Sequence, residues 1–137
     1  MSEMFLQKFR DVIPNLIGEP WQEEDGLTHD ELAADLSLEI PVVLREFYLA
    51  LGNSELMEAH HYFWDPDELE IEDGYLLFLE DEEELYTWGF RADQIDVPDP
   101  LIWRRSNAKG NWVCEEGTFS EFVFDYFDWV LNDDGDD

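Results

Sequence analysis

The chain has 137 residues, of which 36 are acidic and 7 basic, for a formal net charge of -29. That balance argues against direct binding to nucleic acid or to anionic membranes, because both need Lys and Arg. The length suits a single domain, residues 1–137, with a real core, and the 6 Trp, 5 Tyr and 10 Phe separate it from acidic disordered sequence.

No apolar run reaches the length needed to cross a bilayer. Met1 to Phe5 lacks the basic region and apolar stretch of a secretory signal. Cys114 is the single cysteine, so an internal disulfide is impossible. Together these predict a cytoplasmic protein. The charge favours basic partners, which a negative field steers and holds, or else serves solubility and tolerance of salt.

Residues 2–13 form a partial helical stripe through Phe5, Phe9, Val12 and Ile13, ended or bent by Pro14. Gly18, Pro20 and Glu23 to Gly26 read as a loop that Trp21 anchors on the core. Thr28 and Glu31 form a capping box, opening a short helix to about Ser37 with Leu32, Leu36 and Ala33 on its apolar side. The stretch from Leu36 to Asn53 organises the chain. Pro41 suits the first helical position, Leu44, Phe47, Tyr48 and Leu51 share one face, and Gly52 stops the helix in a left-handed conformation.

From about residue 62 the period changes. Leu69 and Ile71 alternate with Glu68, Glu70 and Glu72 as in a half-exposed strand. Asp73-Gly74 predicts a two-residue hairpin turn. Tyr75 to Leu79 is continuously apolar, as in a central strand. Glu80 to Glu84 is an acidic loop, and Leu85 to Phe90 a strand with Tyr86, Trp88 and Phe90 on one face. Asp96 to Pro100 cannot sit inside a ladder. Strands follow at Leu101–Arg105 and Asn111–Cys114. A second capping box, Thr118 with Glu121, opens a helix carrying Phe119, Phe122, Val123, Tyr126, Phe127 and Val130. Residues 132–137 read as a frayed acidic tail. The order gives an α+β domain: an antiparallel β-sheet meander packed with N-terminal helices and one C-terminal helix.

Catalytic signatures are missing: there is no Gly-rich phosphate loop and no nucleophile elbow. A reactive thiolate needs cations nearby, and Cys114 is followed by Glu115 and Glu116, so it reads as a buried structural residue. His60 and His61 point apart as neighbours and suit packing or surface hydrogen bonding better than joint metal ligation. Asp65 to Glu70 opens like a calcium loop but places Leu69 at a ligand position and Glu70 at the turn glycine. No metal and no cofactor are expected, and carboxylate pairs carry no information among 36 acids.

The segment Glu46 to Phe90 contains no Lys or Arg. Carboxylates beside aromatic rings suit the Arg and Lys of a partner, through charge pairing and cation–π contact. The candidate partner-binding residues are Trp64, Asp65, Glu70, Glu72, Asp81, Glu82, Glu83, Glu84, Tyr86 and Trp88. Most of these rings also suit a core, and the acids a solvated face, so it is the acidic surface as a whole that reads as binding.

In order and spacing the landmarks resemble the SUKH superfamily, which groups fungal cell-wall-synthesis regulators with bacterial toxin-immunity proteins. Leu38-Glu39-Ile40-Pro41-Val42-Val43-Leu44-Arg45-Glu46-Phe47-Tyr48 with Leu51-Gly52-Asn53 is similar to its Leu-Pro helix and Asn-Gly end. Tyr75 to Glu82 is similar to its apolar strand ending in acids, and Tyr86-Thr87-Trp88-Gly89-Phe90 to its aromatic strand. Asp96 to Ile102 looks like its Asp-Pro-Pro-Val element, expanded by an inserted pair, and Thr118 to Val123 like its Ser-Phe helix start. Gly52-Asn53 reverses the family order. The resemblance implies a SUKH-like α+β domain without enzymatic activity, an immunity protein that neutralises a basic, nuclease-type toxin. The alternative is an intracellular scaffold or regulatory interaction module of the cell-wall-regulator type. Either would be a monomer or weak homodimer.

Overall fold

A computed structural model describes residues 5–36, 39–58 and 61–132. The expected acidic tail beyond Asn132, as well as His60 and Leu38, lie outside the described residues, as does the side chain of Val130.

The core is built around α3 (Val42–Leu51). One apolar face was the expectation, but burial runs almost all the way round. Val43, Leu44, Phe47, Ala50 and Leu51 are fully buried, and so is Glu46, whose Oε1 accepts from the Phe5 amide at 2.7 Å. The Phe47 ring meets those of Phe9, Tyr48, Phe63, Phe119 and Phe127. Burying one such ring is worth about 2–3 kcal/mol, so this cluster sets the packing of every layer. Pro41 is the N-cap rather than the first helical residue, and its carbonyl accepts from both Leu44 and Arg45 at 3.1 Å. Gly52 is right-handed, with φ -63°. The need for glycine there is one of space: a Cβ would lie 2.6 Å from the Tyr48 carbonyl.

Around α3 pack α1 (Leu6–Val12), α2 (His29–Asp35) and α4 (Phe119–Asn132). The first α-helix ends at Val12, just before Pro14. The chain widens after Val12 into a π-helical turn at Ile13–Ile17 that takes the proline in its first turn, where the missing N–H costs nothing. Gly18 ends it at φ +90°, donating to the Ile13 carbonyl. Trp21 does anchor the next loop: its Nε1 donates to the Ala50 carbonyl at 2.7 Å, and Arg10 lies over its ring. Thr28 caps α2 as expected, but Ala33 is exposed and Leu32 alone in that helix is buried.

Among the described residues six strands form one antiparallel sheet: β1 (Tyr62–Phe63), β2 (Glu70–Glu72), β3 (Tyr75–Glu80), β4 (Tyr86–Arg91), β5 (Leu101–Ser106) and β6 (Trp112–Thr118). The order is β1-β3-β4-β5-β6, and β2 shares with β1 the edge of β3 that β4 leaves open. Asp73 and Gly74, both at positive φ, make the expected hairpin turn. Ile71 faces solvent, against expectation, because β2 is an edge ribbon whose three side chains are all exposed. Leu85 precedes the ladder and is exposed. The last strand runs four residues beyond Cys114. Two steps on β5, from Leu101 to Trp103, oppose four on β6, from Thr118 to Cys114, and Glu116 in that bulge has φ +66°. Cys114 itself is half-buried.

Opposite the helices the sheet carries a small second cluster. Tyr75 stacks on Trp112 at 3.8 Å, and Trp103 meets Tyr75 edge-on. The Arg105 guanidinium lies over Trp112 and bonds Glu72 and Asn107.

A candidate binding groove

β6 ends the sheet beside α4, and the angle between them leaves a groove of about 710 Å³. Trp88 reaches its floor from β4. Its ring is almost fully covered, and its Nε1 donates to Glu115 Oε2 at 2.7 Å. The β6 bulge sends both Glu115 and Glu116 to one wall. The other wall is α4. Thr118 caps that helix by accepting from the Glu121 amide while its own amide donates to Glu121 Oε1 at 3.1 Å. From Glu121 the helical repeat places Asp125 and Trp129 one and two turns on, and Phe122 and Tyr126 beside them. The Phe122 and Tyr126 rings are parallel at 6.0 Å, and Trp129 is 48% exposed, so an aromatic face is open to solvent.

His61 closes one end. Its ring stacks on Trp88 at 5.0 Å and on Tyr126 at 5.4 Å, and its amide donates to the Tyr126 hydroxyl. Its Nδ1 lies 2.7 Å from Glu82 Oε1 and 3.4 Å from Asp81 Oδ1. The histidine therefore both packs and hydrogen-bonds, as its sequence context predicts. These three side chains bring donor atoms within 4.8 Å of one another, the described group best placed to hold a metal ion. Asp81 also serves its own turn, with Oδ2 accepting from the Glu83 and Leu85 amides.

The predicted binding residues do not form one surface. Trp88 lies in the groove, and Asp81 and Glu82 join it through His61. Tyr86 stands at the rim, with Arg104 4.9 Å over its ring and 3.9 Å from Glu115. Glu83 and Glu84 occupy the exposed turn beyond. Glu70 lies on the β2 edge, and Glu72 is engaged by Arg105 on the face away from the helices. Trp64 is half-buried against the core, and its carbonyl accepts from the Tyr48 hydroxyl at 2.6 Å. Asp65 caps the 3-10 turn at Pro66–Glu68.

Sequence reasoning missed Glu115, Glu116, Glu121, Asp125, Phe122 and Trp129 as a group. The α4 half was recoverable from helical spacing, since 121, 125 and 129 fall on one line. The β6 half depends on the bulge.

Outside the groove the carboxyls of Asp65 and Glu80 titrate above their ordinary range. Burial raises Asp65, helped by Glu68 and Asp67. Burial raises Glu80 as well, with Glu84 adding to the effect and Arg105 opposing it. Burial and the nearby acids Asp65 and Glu68 hold the Tyr48 phenol neutral far beyond its usual value.

Among the described lining residues Glu115, Glu116, Glu121 and Asp125 supply four carboxylates, beside an open aromatic face and no Lys or Arg. Chemically this arrangement recognises cations. Comparison of the chain with protein-family models, with curated proteins and with solved structures returns no match. Among the described residues no helix is long and apolar enough to cross a membrane.

Proposed function

We propose that this domain binds a basic protein and neutralises it, in the manner of an immunity protein that covers the phosphate-binding site of a nuclease-type toxin. The observation that carries the reading is the carboxylate-walled aromatic groove on a chain of net charge -29. A nuclease is basic where it holds phosphate, so a surface of this sign and chemistry is complementary to that site. The resemblance of the α3, β3–β4 and α4 motifs to the SUKH superfamily supports the same conclusion. On this reading the domain performs no reaction of its own, and its acidic turn at Glu82–Glu84 steers association while the groove holds the partner.

Capture from the protein's own cell extract at low salt, with elution by rising salt, tests it. The expected result is one basic protein with a toxin domain, released only at high salt and inhibited when the complex is rebuilt. Recovery of housekeeping proteins alone would point to a scaffold, and salt-insensitive capture would remove electrostatics from the account.

A further inference from the structure

We propose that His61, Asp81 and Glu82 form a binding site for a divalent transition-metal ion, zinc being the ion that their chemistry suits best. One imidazole nitrogen and two carboxylate oxygens are the protein ligands, and water completes the shell. The site goes beyond the neutralisation of a basic protein and does not depend on it.

The three side chains have the spacing of a ligand set. Nδ1 of His61 lies 2.7 Å from Glu82 Oε1 and 3.4 Å from Asp81 Oδ1, and the three donor atoms fall within 4.8 Å of one another. Two ligands of one tetrahedral zinc, each about 2.0–2.2 Å from the ion, stand about 3.4 Å apart. His61 and Asp81 already have that separation. Glu82 sits on an exposed turn, so its carboxylate can withdraw by less than an ångström to admit the ion. The proton that Nδ1 shares with Glu82 then leaves to solvent, and the ion takes its place.

Two of the three ligands are held in place by other contacts, which separates them from acids on a solvated face. The His61 ring packs on Trp88 at 5.0 Å and on Tyr126 at 5.4 Å, and its amide donates to the Tyr126 hydroxyl at 2.7 Å. Asp81 Oδ2 accepts from the Glu83 and Leu85 amides, which turns Oδ1 to the imidazole. Outer contacts of this kind orient metal ligands and raise affinity. The side chains of His61 and Asp81 are only 14% and 13% exposed, so an ion between them sits partly out of bulk water, where its attraction to the carboxylates is least screened. The donor set also selects the ion. Calcium and magnesium take oxygen ligands, whereas an imidazole nitrogen beside carboxylates suits zinc and its transition-metal neighbours.

The test titrates the full chain with zinc chloride by calorimetry, in a large excess of calcium that occupies the solvated acids. One saturable zinc site is expected, and its filling should shift the His61 imidazole resonances. His61→Phe keeps a ring against Trp88 and Tyr126 but has no nitrogen, and should weaken zinc about a hundredfold or more. Glu82→Gln, on the exposed turn, should weaken it about tenfold, and decides alone if the ring substitution unfolds the chain. Unchanged dispersion of the amide spectrum shows that a variant remains folded. Equal zinc affinity in the parent and the folded variants, displacement of zinc by the calcium, or no saturable binding would each overturn the site. None of these results bears on the binding of a basic protein, which the capture experiment decides separately.

Discussion

The Trp88 indole and the Glu115 carboxylate are joined across the sheet at 2.7 Å, from β4 to the edge strand β6. This bond fixes one groove wall against the floor. Trp88→Phe keeps a ring in the core but removes the donor and part of the volume. It should cost about 1–3 kcal/mol, read as a lower denaturant midpoint with an unchanged slope. It should also weaken the hold of a basic partner, since Glu115 is then free to close on Arg104.

Tyr48 offers a cleaner hydrogen bond. Its buried hydroxyl donates to the Trp64 carbonyl at 2.6 Å. Tyr48→Phe should destabilise by about 1 kcal/mol, because a covered carbonyl loses its donor. The phenol also links stability to alkaline pH. Its pKa in the folded state stands well above the ordinary 10.0, so the folded chain keeps a proton that the unfolded chain gives up. The stability that this group contributes is complete below pH 10 and is lost as pH climbs beyond it. Alkaline unfolding should therefore steepen in the parent protein and flatten in Tyr48→Phe.

Asp65 and Glu80 carry the same sign at the acid end. Both have pKa values raised from 3.8 and 4.5 respectively. Their contribution is full below those values and declines as pH rises through the raised ones. The melting temperature should accordingly increase on mild acidification from neutral, helped by the relief of general acidic repulsion. Added salt at pH 7 should do the same by screening. In an Asp65→Asn, Glu80→Gln variant scanning calorimetry should find the pH dependence reduced; an identical slope would show that the repulsion lies elsewhere.

Gly26 and Gly18 make a controlled pair. At Gly26 a Cβ would fall 1.8 Å from the Leu49 carbonyl oxygen, on the buried helix α3. The same loop is held there by Leu27 donating to Tyr48 and Asn53 donating to Asp25, each at 3.0 Å. Gly26→Ala should force the loop off and cost about 3 kcal/mol or more. Gly18 meets nothing within 4 Å but has φ +90°. Gly18→Ala should cost only about 1 kcal/mol of backbone strain. Comparable losses at the two sites would refute the steric account.

What the sequence made legible was local chemistry. The Thr28 and Thr118 boxes, the Asp73-Gly74 turn and the apolar run of β3 each lie within a few residues, and each formed as read. Misreadings arose where a distant neighbour decided. Gly52 stops its helix in a right-handed conformation rather than a left-handed one, and the space beside it is closed by the Tyr48 carbonyl and, from the preceding loop, by Leu27. The groove was hidden for the same reason. Its acids come from a bulge and from the flank of α4, which nothing in the linear order places together.

The proline-rich connection before β5 holds both long helices by their starts. The Pro98 carbonyl accepts from Val43 at the head of α3, the Pro100 carbonyl from Phe119, and the Asp99 carboxylate from both the amide and the hydroxyl of Ser120 at the head of α4. These contacts bridge distant parts of the chain, so neither helix is moored until two long loops have closed. Folding should thus wait on a non-local event, after which α3, α4 and the strands between them lock in one step. Amides of both helices and of β4 then open to solvent only through global unfolding, and exchange hydrogen at a common, slow rate.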